Sequence, residues 1–533
     1  MPEWFLEPVL KPGCGRKLHL KTRVLLSQQR GLGLLQKVVP RPSDGQRVPF
    51  VVGATIQRNR VLGRLLGGCV LAMLAMSYPS PASANEAPSA KRPNVVAIVT
   101  DDQGRWACGA YGNSEIHTPN IDRIGQDGLT FTNAFVATPV CSPSRATYLT
   151  GRFPTELGIT DYIAPIESDA GLGLKAVTWP QVLRKNGYRT GLVGKWHLGT
   201  QPKFHPHRLG FDHFMGFLGG GTRPMDPVLE SEGENVPLKG PLPDLLVDNA
   251  IQFVRTNRNQ PFALCLHFRA PHLPYGPVPK VDSTPYENLD PDVPIPPGAN
   301  AAQVKRWNRD YYASITSVDR NVGRLLDVLD ELELTENTLV VFTSDHGYNN
   351  GRHGIDTKGN GRWIAGGVIG PKRPNMWDTS IRVPLLARWP STIEAGRTTD
   401  RAVSNVDVFR TVLGALSIPL PEKNTVHGED YSPLFRGDQM SPRDQVFGQY
   451  DLHNRGLAYM RMIRTSRYKY VRHFKANFLD ELYDLESDPL EKHNLMRRSR
   501  GRNDEINAIA DALLGRLTTW QQSINDPILK STY

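Results

Sequence analysis

Asn94-Val95-Val96-Ala97-Ile98-Val99-Thr100-Asp101-Asp102 is the stretch on which the fold turns. Its apolar run is rich in β-branched residues and lacks polar alternation, so it reads as a strand buried on both faces, as in a parallel sheet. It ends in two adjacent carboxylates. Such a pair is costly to assemble without a neutralising cation, and an open α/β sheet collects its ligands at the C-terminal edge of its strands. A second run of the same kind, Thr338-Leu339-Val340-Val341-Phe342-Thr343-Ser344, ends in Asp345-His346-Gly347. Two buried strands that both terminate in metal-type ligands predict an α/β sheet with its chemistry gathered at one edge.

Further elements follow from periodicity and punctuation. Thr118-Pro119 starts a helix, residues 128–135 are strand-like, residues 179–187 are helical, and residues 188–194 form a short strand delivering Lys195-Trp196-His197. Residues 261–268 read as another buried strand and lead into Pro271-His272-Leu273-Pro274. The Pro-rich stretch 271–297 is a long loop, a length that in compact domains tends to serve function. Residues 311–332 carry Ile315, Val318, Val322, Leu325, Leu326 and Leu329 at helical spacing, which is a packing face. Strands are expected at 381–386, 457–462 and 467–471, and helices from Ser404 and over about 504–520. No internal repeat is present.

Between the first two strands lies Cys141-Ser142-Pro143-Ser144-Arg145, followed by Ala146-Thr147-Tyr148-Leu149-Thr150-Gly151. Pro143 suits a first helical turn and Ser142 can cap, so Cys141 is expected just ahead of a helix N-terminus, where free N–H groups favour an anion. The pattern C-x-P-x-R running into S-R-x-x-x-L-T-G resembles the maturation segment of the formylglycine-dependent sulfatases. Gly194-Lys195-Trp196-His197-Leu198-Gly199, Pro271-His272-Leu273-Pro274, Ser344-Asp345-His346-Gly347 and Leu482-Tyr483-Asp484-Leu485 with Asp488-Pro489 resemble further motifs of that family, in family order from Pro93 to Trp520. The alternative for each piece alone is bland: a small buried Cys, a surface lysine, a loop histidine.

The resemblance implies an alkaline-phosphatase-like α/β domain with a mainly parallel sheet flanked by helices, over about 92–420. A smaller C-terminal α+β domain with an antiparallel sheet would cover 421–533. It implies a Cys141 oxidised to 3-oxoalanine (formylglycine) by a formylglycine-generating enzyme. Hydrated, that aldehyde offers one hydroxyl to attack sulfur and a second whose deprotonation expels sulfate. It further implies that Asp101, Asp102, Cys141, Asp345 and His346 hold a divalent cation. Three carboxylates suit a hard ion such as Ca²⁺ at about 2.3–2.6 Å, whereas the imidazole of His346 suits softer ions. Arg145 would steady the diol, and Lys195, Lys358 and His272 would neutralise sulfate oxygens. The leaving-group proton would come from Lys358 or His272, and His197 would orient or deprotonate the diol. Lys372 competes with Lys358 for its place, but Lys358-Gly359-Asn360-Gly361 keeps the family's K-G context. Competing functions are a phosphoester or phosphonate-ester hydrolase of the same superfamily and a noncatalytic, metal-dependent sulfoglycan-binding protein.

A net charge of +10 would suggest a nucleic-acid or polyanion binder. Residues 1–84, however, carry 12 Lys/Arg against Glu3, Glu7 and Asp44, a net of +9 that leaves +1 for the rest. The basic balance belongs to a leader, and no nucleic-acid partner is expected. Within it, Arg58, Arg60 and Arg64 precede an apolar stretch 65–76 and an Ala82-Ser83-Ala84 cleavage pattern, as in a signal peptide over about 58–84. The apolar stretch falls short of the roughly 20 residues a bilayer needs, so an exported, periplasmic or extracellular protein without a stable membrane span is expected. Cleavage would leave Cys108, Cys141 and Cys265. Either Cys108 pairs with Cys265 or all three stay as buried thiols. The sulfated substrate is read as a small molecule or, more narrowly, a glycan.

Overall fold

A computed structural model describes residues 92–364, 370–422, 425–454, 458–475, 478–497 and 504–530. The leader, with its cleavage pattern, lies outside the described residues. In chain order the strands are β1 (Asn94–Asp101), β2 (Leu129–Phe131), β3 (Ala134–Phe135), β4 (Arg189–Lys195), β5 (His213–Phe217), β6 (Val228–Ser231), β7 (Glu234–Pro237), β8 (Phe262–Pro271), β9 (Thr338–Ser344), β10 (Leu385–Arg388), β11 (Arg397–Thr399), β12 (Val403–Ser404), β13 (Val446–Leu452), β14 (Ala458–Arg464), β15 (Tyr468–His473) and β16 (Glu481–Asp484). Ten of them form one sheet in the order β11-β2-β10-β9-β1-β8-β4-β5-β6-β7. β9, β1, β8, β4 and β5 run parallel, while β10, β6 and β7 add antiparallel pairs.

The central position of β1 explains its composition. Val96 and Ile98 pack under the helices Leu242–Asn257 and Ala301–Glu331, while Val95, Ala97 and Val99 face the helices Cys141–Thr150, Trp179–Lys185 and Val408–Ala415. Both faces are dry, at roughly 1.5–3 kcal/mol for each large apolar side chain buried. Cys108 belongs to the first of these cores and Cys265 to the second, on opposite faces of the sheet. All three described cysteines are unbridged, so the disulfide alternative falls.

A separate four-stranded antiparallel sheet, β13-β14-β15-β16, follows. Met460 and Met462 face the core beneath β2 and β10, and Ile463, Tyr470 and Leu482 face the helix Asp504–Ser523. No helix among the described residues is long and apolar enough to cross a membrane.

Several local expectations need correction. Cys141 is the first residue of its helix rather than the residue before it, and Ser142 does not cap: its hydroxyl accepts from the Ile163 N–H at 3.0 Å. Residues 378–381 make a helical turn, and the strand expected at 381–386 begins only at Leu385. The run 128–135 is divided into β2 and β3. The helix expected at 311–332 starts ten residues earlier, at Ala301, because the Asn300 side chain caps the Gln303 N–H.

Candidate active site

Adjacent parallel strands bring the first ligands together. β1 and β9 are in register through Thr100 and Ser344, and the Asp345 N–H donates to the Thr100 carbonyl at 2.9 Å, so Asp101, Asp102 and Asp345 emerge side by side. Asp102 leaves the strand at φ 73°, a strained value for a residue with a side chain and one that concentrates at functional sites. The Tyr311 hydroxyl holds it there, donating to the Asp102 carbonyl at 2.6 Å while the Gly104 N–H donates to that hydroxyl at 3.0 Å.

The helix Cys141–Thr150 runs beneath this edge with all ten residues buried. Its polar side chains anchor it. Ser144 donates to the Asp345 carbonyl, and Arg145 Nε donates to Asp345 Oδ2 at 2.9 Å. Asn405 ties Ser144 to the Ala137 N–H. Lys195, at the end of β4, crosses to Asp101 Oδ2 at 2.5 Å. That crossing needs Gly194 at φ 110°, where an added Cβ would lie 1.9 Å from the His267 carbonyl oxygen.

Lys358 arrives from the Gly-rich segment. Its Nζ donates to Asp102 Oδ1 at 2.6 Å and to Cys141 Sγ at 3.3 Å. Gly359 permits the approach, since a Cβ there would lie 2.3 Å from Pro139. Lys372 instead donates to the Asn454 carbonyl at 3.1 Å and sits over Tyr162. The structure thus brings Lys358, and not Lys372, to Cys141.

The two histidines occupy different depths. His197, buried at φ 56°, has Nε2 3.0 Å from the Ile163 carbonyl, so Nε2 is the donor and Nδ1 keeps a lone pair. Among the described residues that Nδ1 has no hydrogen-bond partner. His272 keeps 28% of its side chain exposed, with Nε2 3.9 Å from Asp102 Oδ2. It is held by its loop: Arg269, buried alongside, donates to the Leu273 and Pro274 carbonyls.

Charge is dense here. Burial opposes ionisation of Asp101, but Lys195, followed by His272, Arg145 and Lys358, holds its carboxyl well below the usual range. Burial likewise raises the Cys141 thiol, and Lys195 and Lys358 outweigh it and bring it well below its ordinary value. Burial lowers Lys358, and Asp102 and Cys141 carry it back above a normal lysine. His272 is pushed down by burial, which Asp102 only partly offsets.

A divalent ion fits this donor set. One ligand atom each from Asp101, Cys141, Asp345 and His346 can be chosen so that all lie within 4.8 Å of one another. His346 Nδ1 is 3.0 Å from the Gly347 carbonyl, which makes it the donor and turns Nε2 toward Asp102 Oδ1 and Asp345 Oδ1 at 3.2 and 3.4 Å. Neither contact is aligned as a hydrogen bond, and buried Nε2 and Asp101 Oδ1 both lack partners among the described residues. Burial disfavours an imidazolium, yet Asp345 pushes the His346 pKa up to about 9, so the cluster attracts positive charge. Asp345 itself is pushed up to about 6 by burial.

Every residue expected at the site therefore lies at this sheet edge. Tyr311, Asn405 and Arg269 went unrecognised in the sequence. Tyr311 sits on a helix whose apolar spacing announces only packing, and a single Asn or Arg before a loop has no local signature.

The chain matches the family described as Sulfatase over residues 93–418, and the one described as N-sulphoglucosamine sulphohydrolase, C-terminal, over 371–522. It is 26% identical to the N-acetylglucosamine-6-O-sulfatase of Bacteroides thetaiotaomicron, across 87% of this chain and 92% of that protein. It is 27% identical to the steryl-sulfatase of Homo sapiens, across 83% and 90%. Among solved structures, one in complex with its substrate D-glucosamine-2-N,6-O-disulfate superposes with a TM-score of 0.70 at 25% identity, covering 82% of this chain and 99% of that one. The first family match spans the strands, the helix and the Lys358 loop that converge on Cys141, and on that ground the chain belongs to the sulfatase family and is a sulfuric ester hydrolase.

Proposed function

We propose that the protein removes sulfate esters from a sulfated glycan, using a formylglycine made from Cys141 and a bound divalent cation. The observation that carries this reading is the position of Cys141 Sγ, 3.3 Å from Lys358 Nζ and grouped with Asp101, Asp345 and His346. Relatives and neighbours whose names specify sulfated sugars support the substrate class. In this reading the leader 1–84 directs export, a formylglycine-generating enzyme matures Cys141, residues 92–420 are the catalytic domain and residues 421–533 a C-terminal subdomain.

The hydrated aldehyde would supply the nucleophilic hydroxyl, and a divalent cation, which Asp101, Asp102, Asp345 and His346 would hold together with residue 141 and for which the carboxylates favour Ca²⁺, would supply charge stabilisation for sulfuryl oxygens. His197 Nδ1, its lone pair free because Nε2 donates to Ile163, takes the proton from residue 141. Arg145, fixed by Asp345, orients residue 141 from below. Lys195 and Lys358 bring positive charge to the sulfate oxygens. Lys358, with Nζ 3.3 Å from Cys141 Sγ, or the partly exposed His272 delivers the proton to the departing alcohol.

Mass spectrometry of the peptide carrying Cys141 tests the reading directly, with formylglycine the expected species and an unmodified thiol in fully active enzyme the contrary one. Chelation is expected to abolish turnover, and Asp101→Asn to lose both activity and the stoichiometric metal seen by elemental analysis. Paired sulfate and phosphate esters then measure preference, which should favour sulfate.

A further inference from the structure

Beside the C-terminal sheet lies a cavity of about 420 Å³, bounded by His353, Trp363, Arg373, Trp377, Tyr483 and the segment Glu491–Arg497. That volume falls within the range of small-ligand sites. None of these residues belongs to the catalytic cluster described above.

One wall is aromatic and rigid. Trp377 Nε1 is 3.2 Å from the Tyr483 hydroxyl, the His353 ring stacks on the Trp377 ring at 4.2 Å and 8°, and the Arg373 guanidinium lies 5.1 Å from the same ring. Arg373 is fixed in turn by Glu481 at 2.5 Å. His353 adopts φ 53°, an unusual conformation for a residue with a side chain, and burial pushes its pKa down to about 4, so it contributes a neutral ring. Trp377 is nearly sealed, at 6% exposure, whereas Trp363 keeps 37% of its surface open.

The rim is cationic. Glu491 is buried and engaged by Lys469 at 2.6 Å and by the Asp378 N–H at 2.6 Å, so its charge is answered from within. Lys492 and Arg497 are exposed, and among the described residues neither is paired with a carboxylate. An open indole that shares its cavity with two cations unpaired with any described carboxylate matches a pyranose ring carrying sulfate or carboxylate groups. The apolar face of the sugar lies on the ring and its anions meet the rim.

The same chain segment builds both places. Residues 351–364 and 370–375 carry Lys358 to Cys141 and, on either side of it, supply His353, Trp363 and Arg373 to the cavity. We propose that this cavity binds an anionic saccharide unit of the substrate chain other than the unit losing its sulfate. The inference rests on the sulfated-glycan reading and adds a second point of attachment to it.

The test uses the full-length mature enzyme, the variant Trp363→Ala and the double variant Lys492→Ala/Arg497→Ala. The probes are 4-nitrophenyl sulfate, D-glucosamine-2-N,6-O-disulfate, and heparin-, chondroitin sulfate- and carrageenan-type hexasaccharides with their desulfated counterparts. With the two small esters, both variants are expected to stay within about twofold of wild type. With whichever hexasaccharide the wild type cleaves, KM should rise about tenfold or more while kcat holds, the size expected for removing an anchoring contact. In the double variant that difference should shrink at high salt, as exposed charge pairs are screened. An unchanged hexasaccharide KM overturns the proposal. If the wild type turns over 4-nitrophenyl sulfate but cleaves no hexasaccharide, the glycan reading fails, and calorimetric titration decides the cavity separately. Hexasaccharide binding that the double variant loses supports the cavity, and absence of binding or binding unaltered by the substitutions overturns it.

Discussion

Arg145 and Arg461 are both sealed from solvent, one under the catalytic edge and the other inside the C-terminal sheet. Arg461 is saturated. Its guanidinium engages Asp526 at 2.5 and 2.9 Å, Asp451 at 2.5 and 3.2 Å, and its neighbouring Met460 carbonyl at 2.8 Å. Arg145 meets Asp345, the Lys195 carbonyl and the His267 ring, yet among the described residues its Nη2 has no partner, nor have nearby His267 Nε2, His197 Nδ1, His346 Nε2 and Asp101 Oδ1. Buried polar groups are normally satisfied because leaving one bare costs about 1–3 kcal/mol. Five such atoms gathered at one sheet edge carry a cost that a bound ion, substrate or ordered water can recover. The comparison separates buried charge that builds the fold from buried charge that awaits chemistry.

Cys141→Ala tests the functional side most severely. We expect kcat to fall by at least about ten-thousandfold, the scale of losing a nucleophile, with an unchanged melting temperature. Cys141→Ser should give at most one turnover and accumulate a sulfated enzyme detectable by mass, and continuous turnover by it would sink the aldehyde mechanism.

Arg461→Ala tests the architectural side. Leaving buried Asp526 and half-buried Asp451 unpaired should cost about 3–5 kcal/mol in denaturant unfolding, while kcat per folded molecule stays at the wild-type value. A selective loss of kcat without a loss of stability would erase the distinction between the two arginines.

Lys358→Ala comes next, with an expected loss of at least about a hundredfold in kcat, close to 2.7 kcal/mol of barrier. Lys372→Ala should remain near wild type, because its ammonium rests on Asn454 and Tyr162 rather than on Cys141.

The smallest effect is a pH slope in stability. Burial disfavours the Glu481 carboxylate, but His473 and Arg373 outweigh it and hold the group far below its usual range. A depressed folded pKa stabilises fully above the unfolded value, about 4.3, and the contribution is lost as pH falls through the folded pKa. The melting temperature should therefore drop on acidification below about pH 5, and Glu481→Gln should be less stable at neutral pH with a shallower acid slope.

Much of this molecule was legible along the chain. The β-branched runs ending in Asp101-Asp102 and Asp345-His346 located two central strands and the reactive edge, because burial on both faces and carboxylates at a strand end are local patterns. The Cys141 to Gly151 segment located a helix start, for Pro and Gly mark helix ends through backbone geometry. What the pattern left open were pairings across long stretches of chain. Lys358 meets Cys141 from 217 residues away and Arg461 meets Asp526 from 65; the K-G context pointed to Lys358, and the packing of Gly359 on Pro139 shows the path that brings it there. The tautomer of His346 and the separation of Cys108 from Cys265 on opposite sheet faces were decided the same way. Periodicity encodes which residues are buried and where elements begin, whereas the meeting of two distant side chains depends on loop path and sheet order, which only the folded chain sets.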